Sequence, residues 1–212
     1  MTILVLCAHP DDEVFGAGAT LAKYAKEGRK IVSVIFSSGE SANPWLKKEV
    51  ITEMRKKESR KADEILGISQ TIFLDLPDTK VEDSFVKRKL EKKIVKLIKF
   101  LKPSKIFTHS IDDPHPDHRA VYNIAMRIAD KIKFRGDIFS FDIWNPVKMK
   151  HRDMPKMYVD VSGTFKLKIS ALKVMKSQKI TMLNLLPTVY FKAIKTGLLH
   201  RCRFAERFVK VR

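Results

Sequence analysis

The sequence predicts an α/β fold: a single Rossmann-like domain with a mostly parallel sheet and helices on both faces. Three observations predict it. Five short runs are continuously apolar and rich in β-branched residues, the signature of strands buried on both faces. The segments between them repeat apolar residues every three or four positions, the period of a helix packed along one side. Finally, 212 residues with 44% hydrophobic and 9% aromatic content can bury enough apolar surface to offset the conformational entropy of one substantial domain, which excludes disorder and argues against two domains.

Taken in order, Ile3 to Cys7 reads as the first strand, and Ala17, Leu21 and Tyr24 mark the inner face of the helix after it. Ile31 to Phe36 is the second strand. Ile51, Met54, Ile65 and Leu66 define the second helix, which Gly67 stops. Thr71 to Leu74 is the third strand. A single helix is expected over Asp83 to Lys102, with Val86, Leu90, Ile94, Leu97, Ile98 and Leu101 on its apolar face. Lys105 to Thr108 follows as a strand, then a helix through Val121, Ile124, Ala125, Ile128 and Ile132, then the strand Asp137 to Phe141. No linker interrupts residues 1–178. From Lys179 the regularity fades and Pro187 is expected to break any long helix. Residues 1–212 are accordingly one domain, with 179–212 a basic C-terminal extension packed on or beside it. The apolar run at the N-terminus is too short for a signal peptide or a membrane span, and no run of about 18 apolar residues occurs elsewhere.

Chemistry gathers at two strand ends. Ala8-His9-Pro10-Asp11-Asp12-Glu13 follows the first strand; His109, then His115-Pro116-Asp117-His118-Arg119, follow the fourth. Strands one and four commonly flank the switch point of a doubly wound sheet, where ligands bind, so loops about 100 residues apart can converge. His9, Asp12 and His118 then supply two imidazole nitrogens and a carboxylate, the donor set of a catalytic zinc site with a position open to water. Asp11 is left free as a base, and His115 can address the same substrate. The plainer reading is that Asp11 or Asp12 simply caps the first helix; three of the chain's six histidines within ten residues of one strand end argue for the chemical one.

Weaker signals point elsewhere. Gly16-Ala17-Gly18 is half a dinucleotide fingerprint with Leu21 where the third glycine belongs, so these glycines are read as serving close helix packing. Ser37-Ser38-Gly39 lacks the serine-hydrolase elbow. Cys7 reads as a buried inert thiol, His151 and His200 as surface residues. Arg55 and Glu58 have the spacing of a solvated helical ion pair.

AHPDDE near the N-terminus together with HPDHRA past mid-chain resembles the LmbE-like, or PIG-L, zinc-dependent N-acetylglucosaminyl deacetylases. Ser38-Gly39-Glu40, Arg55 with Glu58, Leu76-Pro77-Asp78, Tyr158 to Val161, Ser177-Gln178 and Ala205 to Phe208 extend the likeness over nearly the whole chain. The resemblance implies that His9, Asp12 and His118 bind one Zn2+ per chain, other divalent metals also fitting the donor set. It implies that Asp11 is the general base, that His115 stabilises the oxyanion or protonates the leaving amine, that Asp117 orients His115, and that Arg55 contacts substrate. The expected reaction is hydrolysis of the acetamide of an N-acetylglucosamine-type sugar or its conjugate; the family assembles into oligomers, so a homo-oligomer is compatible.

Composition adds 42 Lys and Arg against 24 Asp and Glu, a formal charge of +18. That excess spares residues 1–45, which hold four bases and five acids, and is dense in 179–212, with eight bases and the single acid Glu206. The tail is thus where an anionic membrane could be touched peripherally, or is a solvated lysine-rich surface; nucleic acid is not the expected partner. The competing function is a basic nucleic-acid or membrane-surface binding protein with a structural metal site. Two cysteines without ligand spacing suit a reducing cytoplasm.

Overall fold

Ile3 to Cys7 are fully buried because the strand they form, β1 (Thr2–Cys7), runs between β2 (Lys30–Ser37) and β4 (Lys105–His109), parallel to both. Alternate side chains enter opposite cores: Ile3, Val5 and Cys7 pack on one face of the sheet, Leu4 and Leu6 on the other. Both faces being covered, the strand shows no polar alternation. The computed structural model describes residues 1–42, 45–144 and 154–212. Beyond β2 lies β3 (Gln70–Leu76), and beyond β4 lies β5 (Asp137–Phe141), all parallel. Two further strands, β6 (Lys156–Asp160) and β7 (Ala205–Lys210), complete a seven-stranded sheet of order β3-β2-β1-β4-β5-β7-β6, with β7 antiparallel to its neighbours. The chain's last strand therefore sits inside the sheet.

One face is covered by α1 (Asp12–Lys26), α2 (Lys48–Leu66), α6 (Phe165–Lys173) and α7 (Lys179–Leu199); the other by α3 (Val81–Lys87), α4 (Glu91–Leu101) and α5 (Pro116–Lys131). Gly67 closes α2 in the left-handed conformation, as expected of a stop. A Cβ on Gly16 would come within 2.2 Å of the Phe141 ring, so this glycine serves close packing of α1 on β5 rather than a nucleotide.

Two expectations are corrected. Asp83 to Lys102 is not one helix: α3 and α4 are separated at Arg88–Leu90, where Lys89 turns left-handed (φ 53°). The Leu90 amide donates to the Phe85 carbonyl and the Lys89 amide to that of Val86, a C-terminal closure. The buried anchor of α3 is Phe85, while Val86, assigned to the inner face, is 60% exposed. Nor does Pro187 end a helix, since α7 runs through it for 21 residues. Proline removes the donor to the Leu183 carbonyl. Both residues lie on the outer, solvent-exposed side of α7, where water can serve that carbonyl.

Candidate active site

Because β1 and β4 are neighbours, the loops that follow them meet. After β1 the chain turns through His9-Pro10-Asp11 into α1. The His9 amide donates to Asp12 Oδ2 at 2.7 Å, which fixes the Asp12 carboxylate at the strand end. Asp11 stands at the N-cap position, yet its side chain caps nothing; its backbone is held at φ 146°, an unusual conformation for a non-glycine residue. The carboxylate instead lies 3.2 Å from Arg55 Nη2.

Arg55 reaches this position from α2. It is buried, and its guanidinium donates to the carbonyls of Gly39 (2.9 Å) and Pro10 (3.1 Å). It therefore does not form a solvated pair with Glu58, whose carboxylate accepts from Ser177 N and Oγ. A Cβ on Gly39 would fall 1.9 Å from Arg55 Nη1, and φ at Gly39 is 62°. Only glycine satisfies both the turn and the guanidinium.

From the β4 side, His109 Nε2 accepts the Ala8 amide at 3.0 Å, and its ring stacks on His118 with centroids 3.9 Å apart. His118, in the first turn of α5, places Nδ1 2.9 Å from Asp113 Oδ1 and Nε2 3.4 Å from Asp12 Oδ1. His115 is the N-cap of α5: its Nδ1 accepts the Asp117 amide at 3.2 Å, and its ring lies within 5 Å of the rings of His9 and His118. Asp117 thus meets His115 through its backbone; its carboxylate accepts from the amides of Thr79 and Val81 and approaches His9 Nε2 at 3.3 Å.

Two carboxylates join the site without having been assigned a role from sequence. Asp78, the last residue of the Leu-Pro-Asp match, lies 3.0 Å from His9 Nε2. Asp113 orients His118. The signals were present, a motif match for Asp78 and an acidic pair just before HPDH for Asp113, but neither says which way a side chain points.

Electrostatics follow from this crowding of buried carboxylates. Burial opposes charge on His9, yet hydrogen bonds to Asp117 and Asp78, with Asp12 nearby, raise it to about 9. Burial likewise opposes charge on His118, and Asp12 and Asp113 overcome it, raising it to about 10. Asp12 resists the upward push of burial because His118 and His109 hold it well below the usual carboxylate range. His109 is driven down to about 4 by burial and by His118. Asp11 is pushed up to about 6 by burial, with Arg55 opposing and Asp12 reinforcing. His115 is lowered by burial and by His9 and His118, which favours its neutral form; the Asp117 amide donates to Nδ1, so a neutral ring carries its proton on Nε2.

The cluster demands positive charge and offers metal-binding atoms. Among the described residues, three triples bring one ligand atom each within 4.8 Å of one another: His9, His115 and His118; Asp12, His109 and His118; and His9, Asp78 and Asp117. The predicted set overlaps all three but does not coincide with one. Its members lie close, with His9 Nδ1 3.6 Å and His118 Nε2 3.4 Å from Asp12. A divalent cation fits this donor set, since it could replace the two imidazolium protons that the carboxylates now stabilise. Asp113 on the far nitrogen of His118 is the partner a ligating histidine requires.

A cavity of about 200 Å3 lies between α7, β7 and the end of β5, lined among others by Phe15, Ile143, Leu185, Val189, Lys192 and Arg207, and by none of the His/Asp cluster. Trp45 is 90% exposed and Trp144 40%. Residues 145–153, His151 included, lie outside the described residues. His200 is exposed and Cys7 buried, as expected.

A Rossmann-like sheet with His/Asp clusters converging at its switch point defines an α/β domain with a candidate metal centre. The model of the PIG-L family, GlcNAc-PI de-N-acetylase, matches residues 4–129, and the chain belongs to that family. Among its relatives, an uncharacterized deacetylase, YaiS, of Escherichia coli (strain K12) is 35% identical over 58% of this chain and 65% of its own. The mycothiol S-conjugate amidase of Streptomyces coelicolor is 34% identical over 59% of this chain and 50% of its own, so the chain spans about half to two thirds of these two relatives. A probable N-acetyl-alpha-D-glucosaminyl L-malate deacetylase of Bacillus cereus is 29% identical over 86% of both chains. In fold, the crystal structure of GalB, a 4-carboxy-2-hydroxymuconate hydratase of Pseudomonas putida, superposes with a TM-score of 0.84 at 20% identity, covering 100% of this chain and 96% of its own.

Proposed function

We propose that this protein is a zinc-dependent hydrolase that removes the acetyl group from an N-acetylglucosamine-type sugar or its conjugate. The observation that carries the reading is Asp11: a buried carboxylate in a strained backbone, held by Arg55 and raised to about 6, beside a His/Asp cluster with metal-ligand character. In this reading His9, Asp12 and His118 hold one zinc ion. When bound, it supplies a Lewis acid for the amide carbonyl and lowers the pKa of water toward about 7.

The chain's own residues do the rest. Asp11 takes a proton from the attacking water as oxygen bonds to the carbonyl carbon. Neutral His115, with its proton on Nε2, donates to the developing oxyanion. The carbon–nitrogen bond then breaks, and the departing amine takes a proton from Asp11 or His115, leaving acetate and the free amino sugar. Arg55 holds Asp11 against the turn and presents the only guanidinium buried at this site among the described residues, from which it would also contact substrate. The cavity between α7, β7 and the end of β5 is the proposed seat of the part of the conjugate beyond the sugar. The free thiols of Cys7 and Cys202 suit work in the cytoplasm.

A second reading has its own support. A 4-oxalmesaconate hydratase of Pseudomonas putida is 26% identical over 83% of this chain and 73% of its own. Hydration of a carbon–carbon double bond also needs an activated water, but no proton for a leaving amine. The test is a screen of N-acetylglucosaminyl conjugates and of unsaturated dicarboxylates with the zinc-loaded protein. Acetate release from at least one conjugate is expected; hydration without acetate would overturn the deacetylase reading.

A further inference from the structure

The outer face of α7 is apolar where a surface helix is ordinarily polar. Its inner side is satisfied: α7 packs on β7, Leu185 and Ala193 are buried, and Gly197 lies against the backbone of Cys202 and Arg203. On the opposite side Leu183 is 79% exposed, Phe191 64%, Ile194 42% and Leu198 74%, with Pro187 in the same row. The spacing 183, 187, 191, 194, 198 traces one helical stripe of about 22 Å. Leu199, 72% exposed, widens it at the C-terminal end. A contiguous apolar surface of this size marks an interaction site.

The charge around the stripe says what covers it. Between residues 179 and 205 there are five bases and no acid. Four of these, Lys179, Lys195, Arg201 and Arg203, are exposed beside the stripe or just beyond its end. We propose that the outer face of α7 docks on an anionic lipid bilayer, with the stripe lying at the boundary between headgroups and acyl chains and the four cations against lipid phosphates. Two copies apposed through this face would bring together the like charges of residues 179–205, a segment that holds no acid of its own to offset them. A nucleic acid would satisfy the cations but leave Leu183, Ile194, Leu198 and Leu199 without a partner, since aliphatic side chains do not stack on bases. None of these residues belongs to the His/Asp site, although Phe191, Lys195 and Leu199 also line the cavity between α7, β7 and the end of β5, so vesicle binding rather than activity is the readout.

The test is vesicle flotation of the full chain. Binding to vesicles containing phosphatidylglycerol is expected at low salt, weakened by added salt, with little binding to phosphatidylcholine alone. Phe191→Ser combined with Leu198→Ser should lower partitioning by about tenfold or more, with the circular-dichroism melt unchanged. Lys195→Glu with Arg203→Glu should abolish the preference for anionic vesicles. No binding to anionic vesicles at low salt would overturn the proposal. So would binding indifferent to both double variants, or a wild-type dimer that the serine variant converts to monomer, which would place a second copy on this face. Should the serine variant unfold, the lipid-composition and salt dependence of the wild type still decides.

Discussion

Arg55 shows how one residue ties local backbone to chemistry. Its guanidinium spans Gly39, Pro10 and Asp11, three residues from two loops. Gly39→Ala should therefore act at a distance: the new Cβ displaces the guanidinium, and the φ of 62° is strained for alanine. We expect a loss of about 1–3 kcal/mol in denaturant unfolding and a fall in kcat as Asp11 loses its partner. Sequence spacing pointed Arg55 at Glu58; which way a helical side chain turns depended on a glycine sixteen residues earlier, which no local pattern displays. Asp63 makes a second residue-scale prediction. Burial raises it to about 7, with Thr71 and Arg60 opposing only in part. Between about pH 4, where an unfolded aspartate ionises, and about 7 the folded chain holds a proton that the unfolded chain has released, so stability falls as pH rises through that window. Asp63→Asn should remove this fall and be more stable above pH 7 by about 1–3 kcal/mol, read from unfolding curves at pH 5 and pH 8.

At the scale of elements, the strands buried on both faces were legible because their apolar runs are continuous, and α1, α2 and α5 because their periods are regular. β6 and β7 were not. β6 buries only Val159 among its five residues, and β7 carries Glu206 into the interior, against the usual rule for acids. The compensation comes from another element: Lys168 on α6 donates to Glu206 at 2.7 Å and to the Phe15 carbonyl, while the Thr20 amide donates to Glu206. Such a tie between α1, α6 and β7 cannot be read from any one segment. Lys168→Met should destabilise by about 3–5 kcal/mol because it strands a buried carboxylate. Adding Glu206→Gln should recover part of the loss; an equal or larger loss in the double variant would show that the ion pair is not what couples these elements.

At the scale of the whole molecule, the order β2-β1-β4-β5 is what turns two motifs about 100 residues apart into one cluster. The convergence of His9, Asp11, Asp12, His115 and His118 was legible because switch-point topology is a general property of parallel sheets. Asp78 and Asp113 were not assigned, because their contacts depend on loop conformation. Of the net charge of +18, residues 179–212 carry +7 and residues 46–178 carry +12, while the cluster itself is rich in carboxylates. The most direct test of the account compares wild type and Asp11→Asn, each stripped with chelator and reloaded with zinc, for bound metal and acetate release on the same sample. We predict about one zinc per chain in both, acetate release restored by zinc in the wild type, and a rate lower by about 10²–10⁴-fold in Asp11→Asn. Acetate release by the wild type that survives complete removal of metal, or by Asp11→Asn at the wild-type rate, would contradict it.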